Sequence, residues 1–548
     1  MINKKSYKSK LFLLLIICSS LLGSVVIYQP YVGLKPNIFN FVDGINADQI
    51  NPTNSLIGIQ NVTNHGGAYE GYNLFILMKT EVGTLKRENY LLITDMEGNI
   101  KKQRNYVSLK PVEFLNSTTL MYGEWGACAL WNIYDNSIEI LDFVGHHEYE
   151  YNPINDTFFT FGLKAVIINN ITYLFDIIYE YNRAGQVVWF LNTWLFINYT
   201  QWCPLHDLFL YKGKFIPDIT HSNTLFFDIE ENVIYYNSRN VNTFYKINHT
   251  NKEVIWGIGE YGNFTLFDQH GNKKQNLFYH AHSIEKIDDN TFILFDNDFH
   301  NQTNPFNHRS RLLEITINET IMTANETWSW ISPSNYYSSA FGDADRLPNK
   351  NRLGTFGTTS HGSDVNIGAR LVEVDNTGQI VWEMNYPHIN NNKFAVYRME
   401  RFHFSPILSS PKDLNIVENE SISIKWNAWY NFRSKQKVNG SYILYLDSTP
   451  IKSGIHTFEK FWHSTNLTFS SDELESLKNL EPGMHNLALE LADEAGHKTT
   501  DSVFLYNLHV NDTKNIIGYP LILFINFLSL TWLAIIYRLK KIKIKNLR

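Results

Sequence analysis

At 548 residues the chain exceeds what a single hydrophobic core organises, so two or three domains are expected. Aromatic residues make up 15% and charged residues only 18%, which excludes an intrinsically disordered chain and suits a β-rich one. The net charge of −7, with no basic stripe carrying interleaved aromatics, excludes an electrostatic case for nucleic-acid binding.

The first element is the apolar run LFLLLIICSSLLGSVVIY (11–28), preceded by Lys4, Lys5, Lys8 and Lys10. Residues 1–30 are expected to be an N-terminal transmembrane anchor or a secretory signal peptide, and the run leaves both open.

A β-propeller is expected over 50–405, because a strand–turn–strand unit recurs there, often ending in tryptophan. It reads YEYNRAGQVVW (179–189), YKINHTNKEVIW (245–256) and LVEVDNTGQIVW (371–382). Looser copies are LLITDMEGNIKKQ (91–103), LWNIYDNSIEIL (130–141) and LLEITINETIMTANETWSW (312–330). Polar turn residues between alternating apolar runs make each a hairpin. A second type of hairpin alternates with these and opens on a polar residue: HHEYEYNPINDTFFTFG (146–162), HSNTLFFDIEENVIYYNSRN (221–240), HSIEKIDDNTFILFDND (282–298) and GDADRLPNKNRLGTFG (342–357). Four strands per unit in about six units predict a six-bladed β-propeller, since one such unit cannot bury its own faces.

Equivalent positions in successive blades line the axis of a propeller. His147, His221 and His282 open three of the second-type hairpins, so they are predicted to share a repeat position and to converge. His361 lies in the Gly/Thr/Ser-rich stretch GTFGTTSHGSDVNIG (354–368), which reads as a loop at a strand end, where function concentrates. The pair in HAH (280–282) would face one side of a strand and could ligate a metal. No HExxH, Walker loop, GxSxG or CxxC accompanies it, and no metal or cofactor is expected.

After the linker SPILSSPKD (405–413), the short alternating runs ISIKWNAW (422–429), GSYILYLDSTPI (440–451), NLTFSSDEL (466–474) and GMHNLALELADEAGHKTTDSVFLYNLHV (483–510) predict an immunoglobulin- or fibronectin-like β-sandwich over 410–511, with DEAG as a hairpin turn. IIGYPLILFINFLSLTWLAIIY follows; residues 516–537 are expected to form a C-terminal transmembrane helix, and 538–548 (RLKKIKIKNLR) a basic cytoplasmic tail. The bulk of the chain is then extracytoplasmic at the cell membrane. Roughly fourteen Asn-X-Ser/Thr sequons between the two runs, Asn61, Asn198 and Asn466 among them, agree with a glycoprotein facing outward. Cys128 and Cys203 are the cysteines outside the first apolar run, and whether they are bridged stays open, as does a homodimer.

The ordered set THSNTLFFDIEENVIYYNSRNVNTFYKINHTNKEVIWGIG (220–259), HAHSIEKIDDNTFILFDND, ADRLPNKNRL (344–353), LVEVDNTGQIVWEM (371–384) and YRMERF (397–402) resembles the arylsulfotransferase family, the 3′-phosphoadenylylsulfate-independent enzymes built on a six-bladed propeller. The resemblance implies transfer of a sulfuryl group from a phenolic sulfate donor to a phenolic acceptor through a sulfated histidine. By position, His221 and His282 are similar to the family's channel histidines, and His361 falls where the sulfated nucleophile is expected. Arg239 in NSRN and Asn297 in FDND match substrate-binding positions, with His147 beside them. The match departs after FDN: where the bacterial enzymes place a sulfate-binding arginine, this chain has Asp298 and His300, and Arg309 or Arg311 is the nearest substitute. Two rival readings follow, a non-catalytic cell-surface propeller that binds a glycan or other anion, and a metal-dependent hydrolase.

Overall fold

A computed structural model describes residues 59–508, apart from 85, 106, 109–111, 125, 204–207, 299–308, 359–366, 390, 410, 412–413 and 418–420. Both apolar terminal runs lie outside the described residues. Among the described residues no helix is long and apolar enough to cross a membrane. The chain is all-β and divides into two compact units between Arg401 and Phe402.

In the first unit, five sheets are each built on a four-strand antiparallel meander, and a sixth on four strands drawn from both ends of the unit. Sheet II comprises Glu113–Phe114, Thr119–Glu124, Ala127–Asn132 and Ile138–Leu141. Sheet III comprises His146–Asn152, Thr157–Ile168, Ile171–Asn182 and Val187–Asn192, and sheet IV comprises Ser222–Asp228, Val233–Ser238, Thr243–Asn248 and Val254–Gly259. Sheet V is His282–Asp288, Thr291–Asp296, Arg311–Asn318 and Thr323–Ile331, with Thr265–Phe267 and Lys273–Lys274 added at its edge. Sheet VI is Asp343–Arg346, Arg352–Phe356, Ile367–Val374 and Ile380–Pro387.

Sheet I joins the two ends of the unit. Its first strand is Asn392–Phe402, followed by Tyr72–Glu81, Arg87–Thr94 and Ile100–Asn105. Asn61–Asn64 also pairs with the last strand of sheet VI, so the start of the unit is tied to its end twice. All six hairpins of the first type form the third and fourth strands of these sheets, and the four of the second type form first and second strands. The closing strand of sheet I, the two-residue strand Glu113–Phe114 and the inserted hairpin Leu208–Tyr211/Lys214–Pro217 are elements the repeat did not reveal.

Period-two alternation buries both faces of a sheet. In sheet IV, Leu225, Phe227, Ile234 and Tyr236 pack with Phe159, Phe161 and Ile178 of sheet III. The intervening Phe226, Tyr235 and Phe244 pack with Phe292, Leu294 and Leu313 of sheet V. Sheets I and VI meet likewise through Phe75, Leu77, Leu371 and Trp382. Each fully buried Phe contributes about 1.5–3 kcal/mol of transfer free energy, which no isolated sheet could recover.

The recurring tryptophans also tie sheets together. Trp189 of sheet III donates its Nε1–H to the His249 carbonyl, in the third-to-fourth-strand turn of sheet IV, at 2.9 Å. Trp330 of sheet V reaches Gly378 in the same turn of sheet VI at 3.0 Å, and Trp382 of sheet VI reaches Met96 in that of sheet I at 2.9 Å. Trp256 of sheet IV is buried without such a bond.

The second unit packs two sheets on one core. One has the order Ile407–Ser409, Ser423–Trp429, Thr465–Ser470; the other is Leu414–Val417, Lys498–Leu508, Gly483–Ala492, Val438–Leu446, Thr449–Phe458. Trp426, Leu444, Phe458 and Leu489 form the core between them. The DEAG segment is the turn between the paired strands Gly483–Ala492 and Lys498–Leu508. Cys128 and Cys203 of the first unit are buried thiols, and no disulfide joins them.

Candidate active site

The first strands of the sheets meet one another through polar side chains. Asn223 of sheet IV donates to the Ala281 carbonyl at the entry to sheet V at 2.9 Å. Ser283 of sheet V donates to Asp343 of sheet VI, whose other oxygen accepts the Met399 N–H of sheet I at 3.0 Å. Arg398 of sheet I pairs with Glu148 of sheet III at 2.7 Å and donates to the Asn223 carbonyl. Five first strands therefore converge on one buried polar region.

At their heads these strands are irregular. Pairing slips between Thr160 and Phe161 in sheet III, between Ser222 and Thr224 in sheet IV, and between His282 and Glu285 in sheet V. Such bulges re-aim side chains and cluster beside functional sites. His147 (φ 63°), His221 (φ 42°) and Ser283 (φ 50°) adopt left-handed backbone, which costs a non-glycine residue about 1 kcal/mol or more. The three predicted histidines do not share one register: His147 lies within the bulge, His221 precedes its strand, and His282 is the first paired residue. They gather nonetheless. The His147 and His221 rings are 4.9 Å apart, and Tyr397 lies 6.2 Å from both His147 and His282.

Their partners define the ring protonation. Asn297 donates its amide N–H groups to the carbonyls of Ser338 and Phe341, at 2.7 and 2.8 Å, so its oxygen faces His282 Nδ1 at 2.7 Å. His282 is therefore the Nδ1–H tautomer and carries its lone pair on Nε2. His221 Nδ1 sits 2.6 Å from the Asp218 carboxylate, the arrangement that orients an imidazole for chemistry at Nε2. Burial, with Arg239, Arg398 and His221 nearby, holds His282 well below the ordinary histidine range. Burial and then His221, His146, His282 and Arg239 do the same for His147. Both stay neutral at pH 7, as nucleophilic or basic imidazoles must.

Arg239 is half-buried, bonded to Asn240 at 3.0 Å and near the Ser339 carbonyl at 3.4 Å, close enough to act on His147 and His282. Arg398 adds a second guanidinium, kept charged by Glu148 against its burial. His361 and His300 lie outside the described residues. Arg311 is committed elsewhere, to Asp296 at 2.8 Å and Glu326 at 3.2 Å, so it is a structural ion pair. Asp298 is pushed up to about 7 by burial and by Asp296.

The strand alternation expected for HAH does not hold: the strand begins at His282, and His280 sits before it in left-handed backbone (φ 59°) with its N–H on Asn242. Three carboxylates, the buried Asp343 and Asp345 and the half-buried Glu400, gather on sheets VI and I without any of the three histidines. Three participants escaped sequence reasoning. Tyr397 and Arg398 stand in the quoted YRMERF, where three charged side chains close together in one strand, Arg398, Glu400 and Arg401, were the available signal. His146, beside His147, carried only its adjacency.

The strand heads of this repeated-sheet protein thus gather neutral imidazoles beside two guanidinium groups. A match to the Arylsulfotransferase (ASST) family covers residues 70–398, more than half of the chain and all of the histidines and arginines of this site. The chain belongs to the arylsulfotransferase family. No curated protein sequence matches it significantly. Among solved structures it is similar to the extracellular domain of a putative hybrid two-component system from B. thetaiotaomicron (9% identity, 82% of this chain and 57% of that one, TM-score 0.29). It is also similar to Kuenenia stuttgartiensis hydrazine synthase (7% identity, 60% and 77%, TM-score 0.28) and a luciferin-regenerating enzyme (10% identity, 62% and 99%, TM-score 0.28). At these scores the likenesses carry no argument about function.

Proposed function

We propose that the first unit is a six-bladed β-propeller that transfers a sulfuryl group from an aryl sulfate to a phenol. The observation that carries this reading is the meeting of His147, His221 and His282 at the heads of strands from three sheets, with Arg239 and Arg398 beside them. A neutral imidazole nitrogen attacks sulfur, the S–O bond to the donor breaks, and the aryloxide departs. The acceptor oxygen then attacks the sulfated imidazole, gives up its proton to a base, and restores the histidine. The transition state is loose, so positioning and stabilisation of oxyanion charge dominate, as in phosphoryl transfer. His361 is the proposed nucleophile; His221 and His282, with Arg239, hold the sulfate and leaving oxygens, and Asn297 orients His282. The second unit is read as an immunoglobulin-like spacer or adhesion surface, the apolar run 516–537 with its basic flank as a membrane anchor, and the run 11–28 as a second anchor or a secretory signal peptide; either leaves the propeller outside the cell.

The test is release of nitrophenol from p-nitrophenyl sulfate by the purified protein. Phenol-dependent release, lost in His361→Ala and retained in the exposed-loop variant His270→Ala, supports transfer. No release with any acceptor sinks it. One observation favours a second reading, anion binding without transfer: Arg311, a candidate replacement for the family's sulfate-binding arginine, is occupied by Asp296 and Glu326. Competition by inorganic sulfate for a bound aryl sulfate, without turnover, would select that reading.

A further inference from the structure

We infer that Asp176, His146 and His147 form a proton relay that makes His147 Nε2 the base for the acceptor hydroxyl, an inference that rests on the sulfuryl-transfer reading. His146 Nδ1 lies 2.7 Å from His147 Nδ1, and His146 Nε2 lies 3.1 Å from Asp176 Oδ1, an off-line approach that is chiefly electrostatic. Asp176 is fully buried in the third strand of sheet III. Its other oxygen accepts Thr220 Oγ1–H at 2.7 Å and the Ser222 N–H at 2.6 Å, so one carboxylate holds both the His146–His147 pair and the segment bearing His221. Burial raises Asp176, but His146 and Ser222 outweigh it and keep the carboxyl below its ordinary value, hence ionised.

These contacts leave one consistent arrangement for two neutral rings. A lone pair on His146 Nε2 would repel the carboxylate, so that nitrogen carries the proton and Nδ1 carries the lone pair. His147 Nδ1–H then donates to His146 Nδ1, and the lone pair of His147 sits on Nε2, in the ring that neighbours His221 and Tyr397. The left-handed backbone of His147 (φ 63°) and the bulge that contains it hold the ring there at a conformational cost.

The relay balances. The acceptor O–H bond breaks and its proton goes to His147 Nε2 as the oxygen bonds to sulfur and the S–N bond of the sulfated histidine breaks, its electron pair returning to that imidazole; the Nδ1 proton of His147 passes to His146 Nδ1. The positive charge then rests on His146 beside Asp176. That destination matters because burial, with His221, His146, His282 and Arg239 around it, opposes charge on His147 itself, and Glu148 is already taken by Arg398.

Two half-reactions separate this role from a structural one. The variant to make is His146→Gln, which keeps the Asp176 bonds to Thr220 and Ser222. With p-nitrophenyl sulfate as donor, it should keep the initial burst of nitrophenol. It should slow transfer to phenol about 10²-fold, and slow transfer to pentafluorophenol, already ionised at pH 8, by less than about 5-fold. Equal losses with both acceptors, or loss of the burst, overturn the relay. If the wild-type protein shows neither burst nor transfer, the sulfuryl-transfer reading fails, and histidine ¹⁵N NMR decides the relay by itself. A His147 that stays Nδ1-protonated and neutral below pH 6, and changes tautomer or titration in His146→Gln, supports it; a His147 that titrates near 6.5 in both proteins overturns it.

Discussion

The outer hairpins and the strand heads of the first unit are both repeated along the chain, yet they obey opposite rules. In the outer hairpins repetition is regular: a polar turn between paired strands, a terminal tryptophan in four of the six, and in three cases the same hydrogen bond to the next sheet. At the strand heads it breaks down into bulges, left-handed residues and buried polar groups that differ from sheet to sheet. Regularity builds the stack, and departures from it hold the chemistry. Local rules fail where function is placed and are compensated elsewhere in the structure.

The comparison breaks most severely at Arg398. Replacing it by Met strands Glu148 in the interior, at an expected cost of about 3–5 kcal/mol, and adding Glu148→Gln should recover part of the loss in urea unfolding. Unchanged stability in Arg398→Met would mean that the first strands do not converge as described. His221→Ala, at a partly exposed head position, should leave the unfolding midpoint nearly in place while transfer from p-nitrophenyl sulfate falls about 10²-fold. A comparable fall in His270→Ala would remove any special status from the strand heads.

The outer hairpins give a graded check. Trp330→Phe and Trp382→Phe each leave a carbonyl without its indole donor and should cost about 1–2 kcal/mol beyond the change in packing. Trp256→Phe removes an N–H that makes no such bond and should cost less than either. Equal losses in all three would dismiss the tryptophan bonds as a source of cohesion.

The smallest effect expected is on pH dependence, and its two parts have opposite signs. His147 and His282 are held below the ordinary histidine value when folded, so the unfolded chain takes up protons first. Their contribution is full above about 6.5 and is lost as pH falls below it, and His282→Gln should flatten thermal midpoints measured from pH 7 to 5. Asp298, raised to about 7, instead holds its proton more tightly when folded, so its contribution declines as pH rises from about 4 to 7. Asp298→Asn should therefore be the more stable protein at pH 8, and identical midpoints there would count against a buried carboxyl at that position.

Much of this fold was legible because its signals are local. Six turn-centred hairpins and four hairpins with polar openings could be read from alternation, and each stands where it was expected. What stayed hidden is non-local or too short to show a period. The pairing of Asn392–Phe402 with Tyr72–Glu81 joins opposite ends of the unit, and Glu113–Phe114 has only two residues. At the site, His147, His221 and His282 were legible as strand openers, whereas their unequal register depends on bulges that the chain does not announce. Arg398 and His146 act through residues 250 and 30 positions away, Glu148 and Asp176, and proximity of that kind appears only when the sheets stack.

The most direct test is a crystal structure of the full chain soaked with a non-hydrolysable aryl sulfate analogue. The account predicts the sulfonyl oxygens within about 3 Å of His221 Nε2, His282 Nε2 and the Arg239 guanidinium, with the aryl ring toward Tyr397. An analogue bound elsewhere, with these three side chains untouched, would contradict it.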